Sequence, residues 1–498
     1  MIPWRDHNLP NCKLAKEKEM NGWKENNTYC EVEDHGQKRI ETMWILTEKM
    51  IDGKQGVKAR LVAKGNQEKA VVQADAPTGT KDSLFMVLAL GAMYNWKPKT
   101  CDVKNAFLQG QHINRTVFVE PPKDQKKEGK IWKLNKCVYG LDDAARSWFL
   151  EVENDLKEMG CKQSRIDPCV FFFFQEKVLD GVIFLHVDDF FHMGSNEFEN
   201  KVVKKIKSTY IIGKCEDGSF TYTGLNIKDS QNGIMIDQLQ YISEIHEVDV
   251  PSNPKQKNSD SVEAEGRTGL RRLVGQANWA ARRSRPDASF DLLELSMRFN
   301  NAVVEDLKRA QKVTNKLKNS DVKILFPRLG ENLRIFTFSD ASFANLVDGV
   351  SSGRGHVIFL VDDGLRCAPL NWASNKVKRV VSSTLAAETL SLKECINTAE
   401  YIRYMLGEAL QRKPQDILIR AYTDSNDLAK ACYSTLLVSD KKLRIDIASI
   451  KESIEEENVS VKWISKSYML ADCLTKKGAD TSNLMSVLQC GCLNIPDE

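Results

Sequence analysis

The sequence predicts a mixed α and β chain: two blocks of strands and helices joined by a mostly helical stretch. Three observations predict it. The first block alternates strand text such as CVFFFF and GVIFLHV with helical text such as DDAARSWFLEVENDLKEMG. From about residue 234 to 319 helical spacing dominates, as in RRLVGQANWAARRSRPD. Strand text reopens at Leu333, running through RIFTFSD, GHVIFLV and PLNWAS to a long helix, STLAAETLSLKECINTAEYIRYML. At 498 residues the chain has room for about three domains.

In order, residues 1–20 are polar and are expected to form a disordered leader. Thr42 to Lys64 reads as strand, turn, strand, with Asp52-Gly53 as the turn. DSLFMVLALGAMYNW is helical, with Asp82 or Ser83 as its N-cap. TCDVKNAFLQG is a strand end entering a short helix, and TVFVEPP is hairpin-like. The helix of DDAARSWFLEVENDLKEMG stops at Gly160. NEFENKVVKKIKSTY is amphipathic and basic. In the last block DILIRAYTD and VSVKWIS are strands, each followed by helical text, and residues 481–498 form a tail.

A 42% hydrophobic content supports packed cores and argues against a largely disordered chain. Basic residues number 71 against 68 acidic, a net charge of +3, so any surface for nucleic acid must be local. The 13 cysteines are scattered with no CxxC pair, which argues against a zinc ribbon and makes Cys490 and Cys492 ordinary thiols. No apolar signal core opens the sequence, and no apolar run approaches the roughly 20 residues that cross a bilayer. A reducing, intracellular setting without a membrane partner is the expectation.

Asp188 and Asp189 sit inside VIFLHVDDFFHMG, among the most apolar text in the chain. Paired carboxylates in such surroundings repel and resist burial. Alone, the pair fits a plain turn as well as a site. Asp362-Asp363 repeats the pattern, but the following Gly364 makes it an ordinary turn. A third acid, Asp102, ends a strand in CDVKNAFLQG. Three carboxylates at strand ends can hold two divalent cations about 3.5–4 Å apart, which would relieve the repulsion and serve in-line phosphoryl chemistry.

The ordered motifs ARLVAKG, DVKNAFLQG, VYGLDDAARSW, FLHVDD and YTGLNI resemble the reverse transcriptases of copia-type long-terminal-repeat retrotransposons. The resemblance covers roughly residues 21 to 480 and points to the reverse transcriptase and ribonuclease H portion of a Pol polyprotein. It implies an α+β right-hand polymerase (fingers and palm 21–232), a helical thumb or connection (233–330) and a ribonuclease H-like α/β domain (331–480). By this resemblance Asp102 and Asp188 are direct metal ligands and Asp189 the third acid. Phe107 is the gate against a ribose 2′-hydroxyl, although its AFL context also suits core packing. Lys58, Arg60 and Lys64, at period two on one strand face, resemble the basic residues that grip a triphosphate; a solvated basic face has the same pattern. Gly140 and Arg146 match the segment that contacts nucleotide and template. Asp142 departs from the family's usual lysine, and His186 from its tyrosine.

TFSDASFA, STLAAETLSL, AYTDSNDLAKA and SYMLADCLTK similarly resemble the linked ribonuclease H, with Asp340, Glu388, Asp424 and Asp472 as its acids. The Glu388 motif is one residue longer than the common form, and a histidine-containing family stretch reads LRIDIASIKESI here. Arg271, Arg272, Arg282, Arg283 and Arg285 in the connecting segment are candidates for phosphate contact along a duplex. The implied cofactor is Mg2+, two per active site, with Mn2+ as substitute. The implied partners are an RNA template, a DNA primer, RNA-DNA hybrid and dNTPs, in the cytoplasm within retroelement particles or in the nucleus. A catalytically silent nucleic-acid-binding relic, or an enzyme with only the ribonuclease H working, is the alternative.

Overall fold

The structure is a computed structural model describing residues 1–3, 6–51, 54–250, 257–436 and 438–496. The expected Asp52-Gly53 turn lies outside the described residues; the strands flanking it, Thr42–Ile51 and Lys54–Ala63, pair antiparallel. The centre of the first block is a six-stranded antiparallel sheet. Its spatial order is Ile212–Asp217, Lys99–Val103, Asp189–Gly194, Val178–His186, Val170–Gln175 and Lys162–Gln163. A three-stranded sheet built on Tyr29–Glu33 and Lys130–Leu134 stands beside the Thr42–Ala63 hairpin. TVFVEPP supplies its third strand, only Phe118–Val119.

Within the segment expected to be disordered, an ordered helix begins at Pro10. Pro10–Glu25 is a helix with proline at its first turn, where a missing N–H costs nothing. Cys12, Met20 and Trp23 are buried, and the helix packs on the Lys54–Ala63 strand. The buried Glu19 carboxylate accepts from Trp23 Nε1 (3.3 Å) and the Leu61 N–H (3.4 Å). The helix at DSLFMVLALGAM spans Lys81–Met93, and its cap is Thr80, whose hydroxyl accepts from Ser83 N–H, not Asp82 or Ser83. All ten residues from Ser83 to Ala92 are buried, so the helix is apolar all round because every face meets protein.

The connecting stretch is not helical at its ends. Gly233–Asp237 and Ile324–Pro327 are neighbouring strands of a four-stranded sheet completed by Ser219–Tyr222 and Leu225–Ser230. Between them lie the helices Ala264–Arg283, Ser289–Met297 and Val304–Lys318, around a core of their own. The last block is a five-stranded sheet ordered Cys367–Lys376, Gly353–Val361, Arg334–Ser342, Ile419–Thr423, Val459–Trp463. The last three run parallel and the first two pairings are antiparallel. Helix Thr384–Leu410 covers this sheet. The expected tail contains a helix, Ser482–Cys490, whose Leu484, Met485, Val487 and Leu488 join the main core. Among the described residues no helix is long and apolar enough to cross a membrane.

Cys101 and Cys215 are ladder partners joined as a disulfide; Cys490 and Cys492, read as ordinary thiols, are free and exposed.

His192 is buried in the six-stranded sheet, and burial, with Lys99 and Lys207 nearby, pushes its pKa down to about 3. An unfolded histidine titrates near 6.5, so below that pH the unfolded chain takes a proton that the folded chain refuses. Stability therefore falls as pH drops from 6.5 towards 3, by up to about 1.4 kcal/mol per pH unit from this residue. Equilibrium unfolding of wild type and His192→Gln at pH 7.5, 6 and 5 tests this: the wild type should lose more stability on acidification than the variant.

Candidate active sites

Asp102 and Asp189 face each other across one antiparallel ladder. The hairpin carrying Asp189 pairs it with His186, leaving Val187 and Asp188 as a two-residue turn. The Asp188 carbonyl accepts from Val103 N–H at 3.1 Å, which ties the turn to the Asp102 strand. Val187 has φ +60°, a region that a β-branched residue enters only under constraint. Trp148, buried on the Ala144–Glu158 helix, supplies one: its indole N–H donates to the Val187 carbonyl at 2.8 Å. Gly213, on the strand beyond Asp102, has no room for a side chain, since a Cβ there would lie 2.5 Å from Asp102 Oδ2.

The three acids feel one another. Burial and then the Asp188 charge raise the Asp102 pKa; burial, then Asp188 and Asp102, push Asp189 up to about 6. Lys58, Lys49 and Lys104 are the opposing cations at Asp102, and Lys58 is itself depressed by burial and by Arg60.

A second cluster lies at the carboxyl ends of parallel strands. Ser339 pairs with Thr423, so the next residues, Asp340 and Asp424, emerge side by side. Glu388 enters from the Thr384–Leu410 helix, which starts at a Ser383 cap. Ser391, one turn further on, donates to the Asp340 carbonyl at 2.8 Å and locks helix to strand. One oxygen from each of Asp340, Glu388 and Asp424 lies within 4.8 Å of the others, the one such trio among the described residues. Asp340 is 1% exposed and Glu388 5%. Burial raises the pKa of all three, and Asp340 and Asp424 raise Glu388 further. Glu388 Oε2 is buried without a hydrogen-bond partner. A converging hard-oxygen set with an orphaned carboxylate oxygen fits a divalent cation.

Residues 26–255 match the family described as reverse transcriptase (RNA-dependent DNA polymerase). This region is a reverse transcriptase domain. Most of the chain also resembles Pol polyproteins of copia-type transposons. It is 27% identical to the retrovirus-related Pol polyprotein from transposon RE1 of Arabidopsis thaliana, over 91% of this chain and 32% of that protein. The corresponding polyprotein from transposon RE2 of the same plant is 26% identical over 87% and 30%. The chain thus spans about a third of the length of these relatives. A foamy viral protease-reverse transcriptase, solved in complex with RNA/DNA hybrid, shares the fold with TM-score 0.54 at 14% identity, over 94% of this chain and 55% of that one. The mixed α and β fold expected from the motifs is thus the fold of a solved reverse transcriptase over most of the chain.

In the reverse transcriptase domain, Lys58 and Arg60 lie on the Lys54–Ala63 strand, and the charges of Asp102 and Asp188 act on Lys58. Arg60 lies 5.8 Å from the centre of the Tyr139 ring. Lys64 differs: it follows the strand and is paired with Glu41 at 2.5 Å. Phe107 packs on Tyr139, ring centres 5.2 Å apart. Gly140, at φ +94°, meets the Lys54–Ala63 strand so closely that a Cβ would lie 2.0 Å from the Ala63 carbonyl. Arg146 donates to the Asp75 carbonyl at 3.0 Å. His186 is half-buried beside Tyr222, and burial and Arg283 lower its pKa. Asp362, as expected, caps its own turn, accepting from Gly364 N–H at 3.0 Å.

Arg271 and Arg272 are exposed, Arg271 donating to Asn300. Arg282 and Arg283 line a cavity of about 550 Å³ with Lys81, Trp279 and Trp372. Arg285 does not line a duplex path: it is buried, paired with Asp287 at 2.9 Å and donating to the Leu317 carbonyl. In LRIDIASIKESI, Asp446 pairs with Arg379 and Lys393. Asp472 stands outside the trio and contacts Lys476. Sequence reasoning passed over Trp148, Lys476 and Thr475, whose hydroxyl donates to Asp340; all three were letters of quoted motifs.

Trp148→Phe keeps an aromatic ring, though a smaller one, and leaves the Val187 carbonyl without its donor, a loss of about 1–3 kcal/mol from the hydrogen bond alone. Urea unfolding should show a lower midpoint at unchanged m-value.

Proposed function

We propose that the chain is an RNA-directed DNA polymerase with a linked ribonuclease H that cleaves the RNA of RNA-DNA hybrids. The observation that carries this reading is the ladder that sets Asp102 against Asp189, with Asp188 in the adjoining turn, inside the reverse transcriptase domain. Asp102 and Asp188 would hold divalent ions, with Asp189 as the third carboxylate. Hard oxygen donors with phosphate as co-ligand favour Mg2+. Bound ions at such a site activate the attacking oxygen and stabilise charge on the phosphorus under displacement.

The chain's own residues do the rest. Lys58 and Arg60 meet the triphosphate of a dNTP, and Gly140 lets backbone approach it. Phe107, backed by Tyr139, excludes the 2′-hydroxyl of a ribonucleotide. Strand Asp102–Gly213 contact fixes one carboxylate, and Trp148 fixes the turn that presents the other. In the second site Asp340, Glu388 and Asp424 form the cation cage and Asp472 adds a fourth carboxylate. Arg271, Arg272, Arg282 and Arg283 supply phosphate contacts to primer, template and hybrid, with Arg146 nearer the nucleotide. The relatives' names and the hybrid-bound foamy viral protein support this reading.

Purified protein on a primed RNA template with Mg2+ tests it. Asp188→Asn should cut primer extension about 1,000-fold, the equivalent of several kcal/mol of lost charge stabilisation, while leaving hybrid cleavage intact. Asp424→Asn should do the reverse. Salt-sensitive hybrid binding without incorporation by the wild type would instead identify a silent relic. Phe107→Ala should raise ribonucleotide incorporation relative to deoxyribonucleotide by roughly 10–100-fold; an unchanged ratio assigns Phe107 to packing alone.

A further inference from the structure

Lys476 lies between two of the four acids of the second site. Its ammonium contacts Asp472 Oδ1 and lies 3.4 and 3.3 Å from the two oxygens of Asp340. The placement is built, not a chance reach of a surface chain. Asp472–Leu474 is a short 3-10 turn, and Thr475 N–H closes it on the Asp472 carbonyl. Three other elements then hold the segment. Asn345 donates to the Thr475 carbonyl at 3.3 Å, Ser374 donates to the Leu474 carbonyl at 2.6 Å, and Thr475 itself donates to Asp340.

The four carboxylates thus divide. Asp340, Glu388 and Asp424 converge, with the unpartnered Glu388 oxygen among them. Asp472 is turned to Lys476, and Asp340 is shared. A divalent ion bridging Asp340 and Asp472 would have to enter against an ammonium already in contact with both.

We propose that this site takes one divalent ion, held by Asp340, Glu388 and Asp424, and that Lys476 supplies the second positive charge between Asp340 and Asp472. The inference rests on the ribonuclease H reading above and replaces its second ion with a resident lysine. An ammonium can neutralise Asp472 and donate to a phosphate oxygen of the hybrid, but it offers no open coordination position. Hybrid cleavage would then require one bound ion.

The test counts ions, not turnover. The full chain carrying Asp102→Asn and Asp188→Asn, which removes ligands from the polymerase cluster, is titrated with Mn2+ alone by calorimetry and by electron paramagnetic resonance. With Lys476 present the expected count is one, lost on adding Asp424→Asn. Lys476→Met and Lys476→Gln should each raise it to two, and Lys476→Arg should keep it at one; thermal melting verifies that each variant folds. A count of two with Lys476 in place, or of one in both neutral variants, overturns the inference while leaving the metal-site reading intact. A count of zero with Lys476 in place and in its absence overturns both.

Discussion

The rest of the structure depends on backbone ladders that hold like charges together. Nothing in a carboxylate's own chemistry brings Asp102 to Asp189, or Asp340 to Asp424; the preference is to separate and hydrate. Antiparallel register fixes the first pair and parallel register the second. The cost appears as raised carboxyl pKa values at both clusters, with burial as the largest cause. Each cluster sits where a strand ends, so the backbone is over-determined on one side and open on the other. The two differ in their local counter-charge. The first has Lys58 acting at a distance, while the second has Lys476 in contact.

Local geometry completes what register begins. Val187 occupies the position of a two-residue hairpin where glycine is ordinarily preferred. Such a conformation costs on the order of 1–3 kcal/mol and persists only where surroundings enforce it. Those surroundings are the indole N–H of Trp148 on one side and the Val103 N–H on the other. The turn that presents Asp188 is therefore held from outside its own sequence.

What the sequence made legible followed from periodicity and from local chemistry. Strands such as Val178–His186 and the helix Ala144–Glu158 carry their own apolar pattern. The seven acids were legible because each sits in apolar or small-residue text where a charge needs a reason. The Pro10–Glu25 helix was not, since it buries few residues and does so against partners far along the chain, the Lys54–Ala63 strand and Trp132 among them. Gly233–Asp237 was read as part of a helical stretch because five residues give little period and its partner is Ile324–Pro327, far along the chain. Arg285 shows the limit of reading charge: the run Arg282, Arg283, Arg285 looks uniform, yet the third turns inward to Asp287. Lys476 was hidden for the opposite reason: in SYMLADCLTK it is one lysine among many, with nothing in its own position to tie it to Asp340.

The two sites are not carried on independently packed modules. One core cluster runs from Leu84–Ala92 through the strands beneath the first site into the five-stranded sheet of the second. Polar ties cross the same boundary, Asn371 donating to Asp82 and Ser164 to Glu408, and Trp372 Nε1 donates to the Ala281 carbonyl of the connecting stretch. The helix Lys81–Met93 has no solvent face because it is the shared wall between both blocks. Close-packed interiors transmit displacement, so moving one acid cluster relative to the other would require this wall to slide against two sheets at once. The separation of the two sites is thus set by packing, and any strand engaged by both must match a fixed span.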